Sequence, residues 1–146
     1  MPETAEPVWP SATPPPVAAW RGPALRWELH DLTELPRVRA DLRRHTTQTG
    51  PHAADLRDQL ILALDEMASN ALRHGGKPVV ATVHETEDAY LVEVADGAPA
   101  APPKPAVDRD PSEGGLGLYL VAELAAAHGW YVRGGTKHVW ALLPRR

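Results

Sequence analysis

Glu66, Asn70 and His74 stand at successive four-residue steps in the stretch LDEMASNALRHGG, residues 64–76. Residues four apart share one face of a helix. Leu60, Leu64, Met67 and Ala71 fall on a neighbouring apolar stripe. The spacing predicts a helix with one face for the core and another presenting a carboxylate beside an amide. An amide oxygen near a carboxylate suits Mg2+, a hard cation that keeps several waters and bridges phosphates. The carboxylate can also take a proton from an attacking hydroxyl or water, or orient it. Taken alone, a solvated helix face would look the same. His74 sits where a helix-end histidine satisfies terminal carbonyls. The seven histidines show no ligand pair at zinc-binding spacing, so no zinc site is expected.

Two further segments carry chemistry. In EGGLGLYLV, Gly114, Gly115 and Gly117 stand just before and inside the first turn of an expected helix. Unpaired N–H groups at a helix start favour an anion, and glycine lets phosphate oxygens approach the backbone. No GK[ST] follows, so the stretch is not a Walker loop, and it does not directly follow a strand as a dinucleotide-binding fingerprint would. Asp96-Gly97 closes the strand-like run YLVEVADG. A carboxylate there can accept a hydrogen bond from an exocyclic amine such as adenine's. Asp-Gly is equally an ordinary strand-ending turn.

These residues need a scaffold, and the periodicity supplies one. Leu25, Trp27 and Leu29 alternate with polar residues as a half-buried strand. Asp31 or Thr33 can cap a helix carrying Leu35, Val38 and Leu42 to about Thr47. Gly50-Pro51 breaks it, and a long helix over about 52–74 ends at Gly75-Gly76 in the C-cap manner. Residues 78–97 read as a hairpin turning at Glu85–Asp88. GGLGLYLVAELAAAHG reads as a helix ended by Gly129, followed by short strands in WYVRG and KHVWALLP. The order predicts a two-layer α/β sandwich of α+β type, its sheet mixed but mostly antiparallel, with helices on one face.

Residues 1–23 hold seven prolines and read as a flexible tail, leaving 24–146 as the folded domain. Trp9 and Trp20 are unusual in such a tail; they either dock on the domain, dock on a partner or are incidental. Residues 98–113 hold five prolines with little periodicity, and a structureless loop of that length is usually functional or mobile. A formal charge of −4 with mixed signs argues against a general nucleic-acid binder. There is no cysteine, which excludes disulfides and thiolate metal sites. No apolar run reaches the ~18 residues of a membrane span. The start MPETAEPVWP lacks the features of a secretory signal, so a soluble, cytoplasmic protein is expected.

The order and spacing of these segments resemble the Bergerat-fold ATPases of the GHKL superfamily. DEMASNALRHG resembles that family's N-box, with Glu66 and Asn70 on the matching positions. VADG resembles the G1 box, with Asp96 as the adenine-recognising carboxylate and Gly97 beside it. The usual G1 pattern is Asp-x-Gly; here Gly97 follows at once and Ala98 takes the glycine's place. GGLGLYLV resembles the G2 box, which implies that Gly114, Gly115, Leu116, Gly117 and Leu118 surround the phosphates. GGTKHVWALLP resembles the G3 region, with Thr136 near the adenine, and 98–113 falls where the family places its ATP lid.

The short form is most similar to bacterial anti-sigma-factor serine kinases. That resemblance implies ATP and Mg2+ as cofactors, Asn70 at the metal, and Glu66 accepting the proton of a partner's serine or threonine. Lys104 or Arg109 of the lid would neutralise phosphate charge. The implied partners are a sigma factor and a STAS-domain anti-sigma-factor antagonist, with a role in transcription regulation and a homodimeric state. Arg37, Arg39, Arg43 and Arg44 form a candidate partner surface, or an ordinary solvated face. The alternative is a nucleotide-dependent, partner-binding regulator without significant kinase activity. A detached histidine-kinase domain would need a phosphoacceptor hairpin supplied by another chain.

Overall fold

The computed structural model describes residues 9–16, 20–46, 49–98 and 116–145. The chain forms β1 (Leu25–Leu29), a single 3-10 turn (Leu32–Glu34), α1 (Leu35–His45), α2 (Ala53–His74), β2 (Val79–Glu85), β3 (Ala89–Asp96), α3 (Leu116–Leu124), β4 (Ala127–Arg133) and β5 (Thr136–Pro144). The strands lie in the order β1-β2-β3-β5-β4, and every neighbouring pair is antiparallel. The expected α+β two-layer arrangement is what the chain adopts. The sheet is antiparallel throughout its named strands rather than mixed. Most of the expected lid, from residue 99 on, lies outside the described residues.

Alternation builds the core. Trp27 and Leu29 of β1, Val79, Ala81 and Val83 of β2, Val92 and Val94 of β3, and Val139, Ala141 and Leu143 of β5 are all buried and share one face of the sheet. The helices supply the opposing layer. Leu35, Val38 and Leu42 come from α1, and Leu60, Leu64, Met67 and Ala71 from α2. Fully burying a Leu or Met side chain stabilises by about 1.5–3 kcal/mol, so this stripe fixes the rotation of α2. Rotation about the axis in turn aims Glu66 and Asn70.

Local chemistry sets the entries and turns. Asp31 accepts from Thr33 N–H at 2.8 Å while Glu34 accepts from Asp31 N–H at 3.1 Å, a capping box before α1. In the β2–β3 turn, the Thr86 hydroxyl accepts from Ala89 N–H at 2.9 Å.

Two glycines serve other ends than their sequence context implies. Gly75 follows α2 but has φ −94°, not the left-handed value of a glycine cap. Its lack of a Cβ answers a contact with β3, described below. Gly129 does not end α3. The helix stops at Leu124, and Ala127, His128 and Gly129 already pair with Leu142, Ala141 and Trp140 of β5. The alanine run favours helix locally, but pairing with β5 decides the outcome. At Gly129 a Cβ would come within 2.9 Å of the Pro10 carbonyl oxygen.

That contact belongs to the N-terminal segment. Read as part of a flexible tail, its described residues 9–16 pack on the domain instead. Trp130 N–H donates to the Pro10 carbonyl at 3.0 Å, Ala12 N–H donates to the Trp130 carbonyl at 2.9 Å, and Trp140 Nε1 donates to the Ala12 carbonyl at 2.7 Å. Prolines lack an N–H but keep their carbonyls, and the tryptophans of β4 and β5 supply the donors. Trp9 is only 2% exposed and meets the His128 ring edge-on at 4.9 Å. Trp20 stays 46% exposed, with its ring 4.6 Å from that of His84.

Burial of Trp9 gives a measurable consequence. Trp9→Ala should destabilise the protein by about 3–5 kcal/mol, the usual cost of emptying a buried aromatic site. Urea unfolding measures it. A loss under about 1 kcal/mol would mean that the segment does not dock in solution.

Candidate functional site

Three pieces of the chain meet around the C-terminal half of α2. The first is α2 itself. Asn70 is 7% exposed, and its Oδ1 has no hydrogen-bond partner among the described residues. A buried acceptor left in this state costs about 1–3 kcal/mol unless a ligand engages it. Glu66 lies one turn earlier and is half-buried. Burial is the main cause that pushes its carboxyl above the usual carboxylate range; the neighbouring Asp65 charge adds to this and Arg73 opposes it.

The second piece is the start of α3. Gly117 packs directly on Glu66: a Cβ there would fall 2.1 Å from Glu66 Cδ and 2.3 Å from Oε2. A side chain there would push Glu66 aside, so the glycine lets the carboxylate lie against the first turn of α3. Leu118 points the other way and is wholly buried in the core with Val121. Its side chain anchors the helix rather than lining the cleft. Leu116 begins α3; Gly114 and Gly115 lie outside the described residues, as do Lys104 and Arg109.

The third piece is the end of β3. Asp96 is 1% exposed. Its Oδ1 accepts from Ala98 N–H at 2.7 Å and from Gly76 N–H at 3.4 Å. Ala98, standing in the expected glycine place, thus caps the aspartate through its backbone. Gly97 N–H donates to the Gly76 carbonyl at 2.8 Å, tying the loop after α2 to the end of β3. At Gly75 a Cβ would lie 2.6 Å from Asp96 Cγ, which is why glycine follows the helix here.

Asp96 Oδ2 makes no hydrogen bond among the described residues but lies 3.4 Å from Lys137 Nζ, an ion pair with both side chains almost fully buried. The register pairs Asp96 with Lys137. Alternation along β5 turns Thr136, the residue expected near the adenine, to the opposite face of the sheet. No motif in the sequence singles out Lys137. Its signal was present, since residue 137 shares its phase with Val139, Ala141 and Leu143.

Nine residues separate Glu66 from Gly75, about 13–14 Å along the axis at the helical rise. The carboxylate–amide pair and the buried aspartate therefore mark two ends of one elongated region. A separate cavity of about 380 Å³ lies at the other end of α2, among Thr49, His52, Asp55, Gln59 and Arg145, and holds none of these residues. On α1 the expected basic surface is largely neutralised, because Arg37, Arg39 and Arg44 pair with Glu34, Asp65 and Asp41.

A helix-borne acid and amide and a strand-end aspartate, the two acids each against a glycine, thus stand on one α+β domain. Residues 29–142 match the histidine kinase-like ATPase domain, and the chain belongs to that family. Membership supports an ATP-binding, regulatory or kinase-like function, with Mg2+ the usual companion of ATP. No curated protein matches the chain. Among the described residues no helix is long and apolar enough to cross a membrane. The residues present fit both cofactors: Asn70 Oδ1 is a buried oxygen, without a partner among the described residues, of the kind a hard cation accepts, and Asp96 Oδ2 is a buried acceptor beside the Lys137 ammonium.

Contact between Gly117 and Glu66 can be tested by stability alone. Gly117→Ala should cost about 1–3 kcal/mol through overpacking. Adding Glu66→Ala should restore most of that loss, with a coupling of about 0.5–3 kcal/mol in a double-mutant cycle. Strict additivity of the two changes in urea unfolding would contradict the contact.

Proposed function

We propose that the protein is an ATP-dependent switch that phosphorylates a serine or threonine of a STAS-domain anti-sigma-factor antagonist. Its other state withholds a sigma factor, as a homodimer, and so regulates transcription. The observation that carries the catalytic part is the pairing of a half-buried Glu66, its carboxyl raised by desolvation, with an orphaned Asn70 oxygen one turn away. The partners are taken from the resemblance to stand-alone anti-sigma-factor kinases.

Phosphoryl transfer needs positioning and charge stabilisation more than covalent help from the protein. When bound, Mg2+ would supply charge stabilisation for the transferring phosphoryl group, and Asn70 Oδ1 would hold it. Asp96 fixes the purine by accepting from its 6-amino group. The first turn of α3, opened by Gly117, turns unpaired N–H groups and its positive dipole end toward the phosphates. Glu66 accepts the proton of the attacking hydroxyl as its oxygen bonds to the γ-phosphorus. The bond from that phosphorus to the bridging oxygen breaks, and ADP departs.

Desolvation of Glu66 serves this step. A carboxylate with a raised pKa is a stronger base than an exposed one. The sign for activity follows directly. Protonated Glu66 accepts nothing, so transfer falls as pH drops through the raised pKa, above the ordinary carboxylate range. The sign for stability is the reverse. The folded state binds this proton more tightly than the unfolded state. That contribution is fully present below the unfolded value and is lost as pH rises through the folded one. Glu66→Gln should therefore unfold at a higher temperature than the wild type at neutral pH.

Labelled ATP, Mg2+ and candidate STAS proteins provide the test. Label should appear on serine or threonine. Glu66→Gln should lower transfer by about 10²–10⁴-fold, the usual size of a lost general base, with ATP binding retained. Asn70→Ala should abolish Mg-ATP binding in calorimetry. Tight ATP binding without transfer to any STAS protein would overturn the kinase and leave a nucleotide-gated regulator.

A further inference from the structure

Lys137 enters the core face of β5 in phase with Val139, Ala141 and Leu143. Its side chain is 4% exposed. Lysine is among the residues least often fully buried, and a buried charge is costly unless paired. An apolar residue of similar volume in place of one partner of a buried ion pair serves a fold only if the other partner is replaced as well. Here the pair is kept, at the end of two central strands, beside the loop that follows α2. One oxygen of Asp96 is engaged by the backbone N–H groups of Ala98 and Gly76. The other lies beside the Lys137 ammonium at 3.4 Å. An acceptor and a donor thus stand next to each other.

We propose that Lys137 is a specificity-determining residue that reads the purine together with Asp96. Nζ donates to ring nitrogen N1 of adenine while Asp96 Oδ2 accepts from the adjacent 6-amino group. The inference rests on the ATP-binding reading and deepens it. Adenine presents a donor and an acceptor on neighbouring atoms of one edge, and the Asp96–Lys137 pair is their complement. An ammonium carries three donors and can hold a carboxylate and a ring nitrogen together. Its bond to N1 is charge-assisted, and so stronger than one from a neutral hydroxyl. Before nucleotide arrives, the same ammonium keeps the buried Asp96 carboxylate compensated. Thr136, on the other face of the sheet, does not share this task.

The test uses the wild-type protein and three nucleotides in calorimetric titration. They are ATP, 1-deaza-ATP (N1 replaced by C–H) and purine riboside triphosphate (no 6-amino group). Wild type should bind 1-deaza-ATP at least about tenfold more weakly than ATP, as expected for loss of a hydrogen bond to a charged group. Lys137→Met should bring the two affinities within about twofold of each other. Equal affinity of the wild type for ATP and 1-deaza-ATP overturns the proposal, and that comparison needs no variant to fold. Equal affinity for ATP and purine riboside triphosphate strikes instead at Asp96 as the purine acceptor. Failure to bind ATP at all removes the functional reading and this inference with it.

Discussion

The polar side of α2 depends on two glycines whose missing side chains leave room for carboxylates. At Gly117 the start of α3 rests on the Glu66 carboxylate, and at Gly75 the chain leaving α2 rests on the Asp96 carboxylate. In both, a carboxylate side chain occupies the space that a Cβ would need. Each therefore ties an acidic side chain to a neighbouring segment through the absence of a methyl group. Rotation of α2 about its axis would break both. The buried stripe of Leu60, Leu64, Met67 and Ala71 prevents that rotation. Core packing on one face of the helix is thus what aims the polar face.

Polar groups inside this region do not obey the logic of a core built for stability alone. Asn70 keeps an unpartnered oxygen, Glu66 is driven toward its neutral form, and Asp96 and Lys137 form an ion pair almost out of water. Each carries a desolvation cost. They cluster toward the C-terminal half of α2 and around the strand ends beside it, while the core-face rows farther along the sheet are mainly apolar. A fold that concentrates its unfavourable groups in one place, over an otherwise regular core, has the thermodynamic profile of a binding site. Ligand binding to the folded state alone then returns stability by mass action.

Much of this was legible in the sequence because it depends on short-range periodicity. The four-residue step from Glu66 to Asn70, the alternation in β1, β2 and β3, and the cap at Asp31 are local patterns, and the structure keeps them. Features decided by long-range pairing were not legible. Ala127 and His128 look helical beside an alanine run, yet β5 recruits them into a strand. Pro10 and Ala12 look like tail, yet they accept hydrogen bonds from two tryptophans more than a hundred residues away in sequence. Thr136 looks like the polar residue of the closing strand, but register decides which of two neighbours faces Asp96, and it selects Lys137. A one-residue difference in a strand exchanges its faces, and the glycine-bounded start of β5 gives no local clue to its phase.

The most direct test of the central claim is a titration of isotopically labelled protein with Mg-ATP, followed by backbone amide chemical shifts. If α2, the end of β3 and the start of α3 form one nucleotide site, Asn70, Gly75, Gly76, Gly97 and Gly117 move together along a single saturation curve. His52 and Gln59, at the far cavity, stay in place. Shifts confined to that far cavity, or none at saturating nucleotide, would contradict the account.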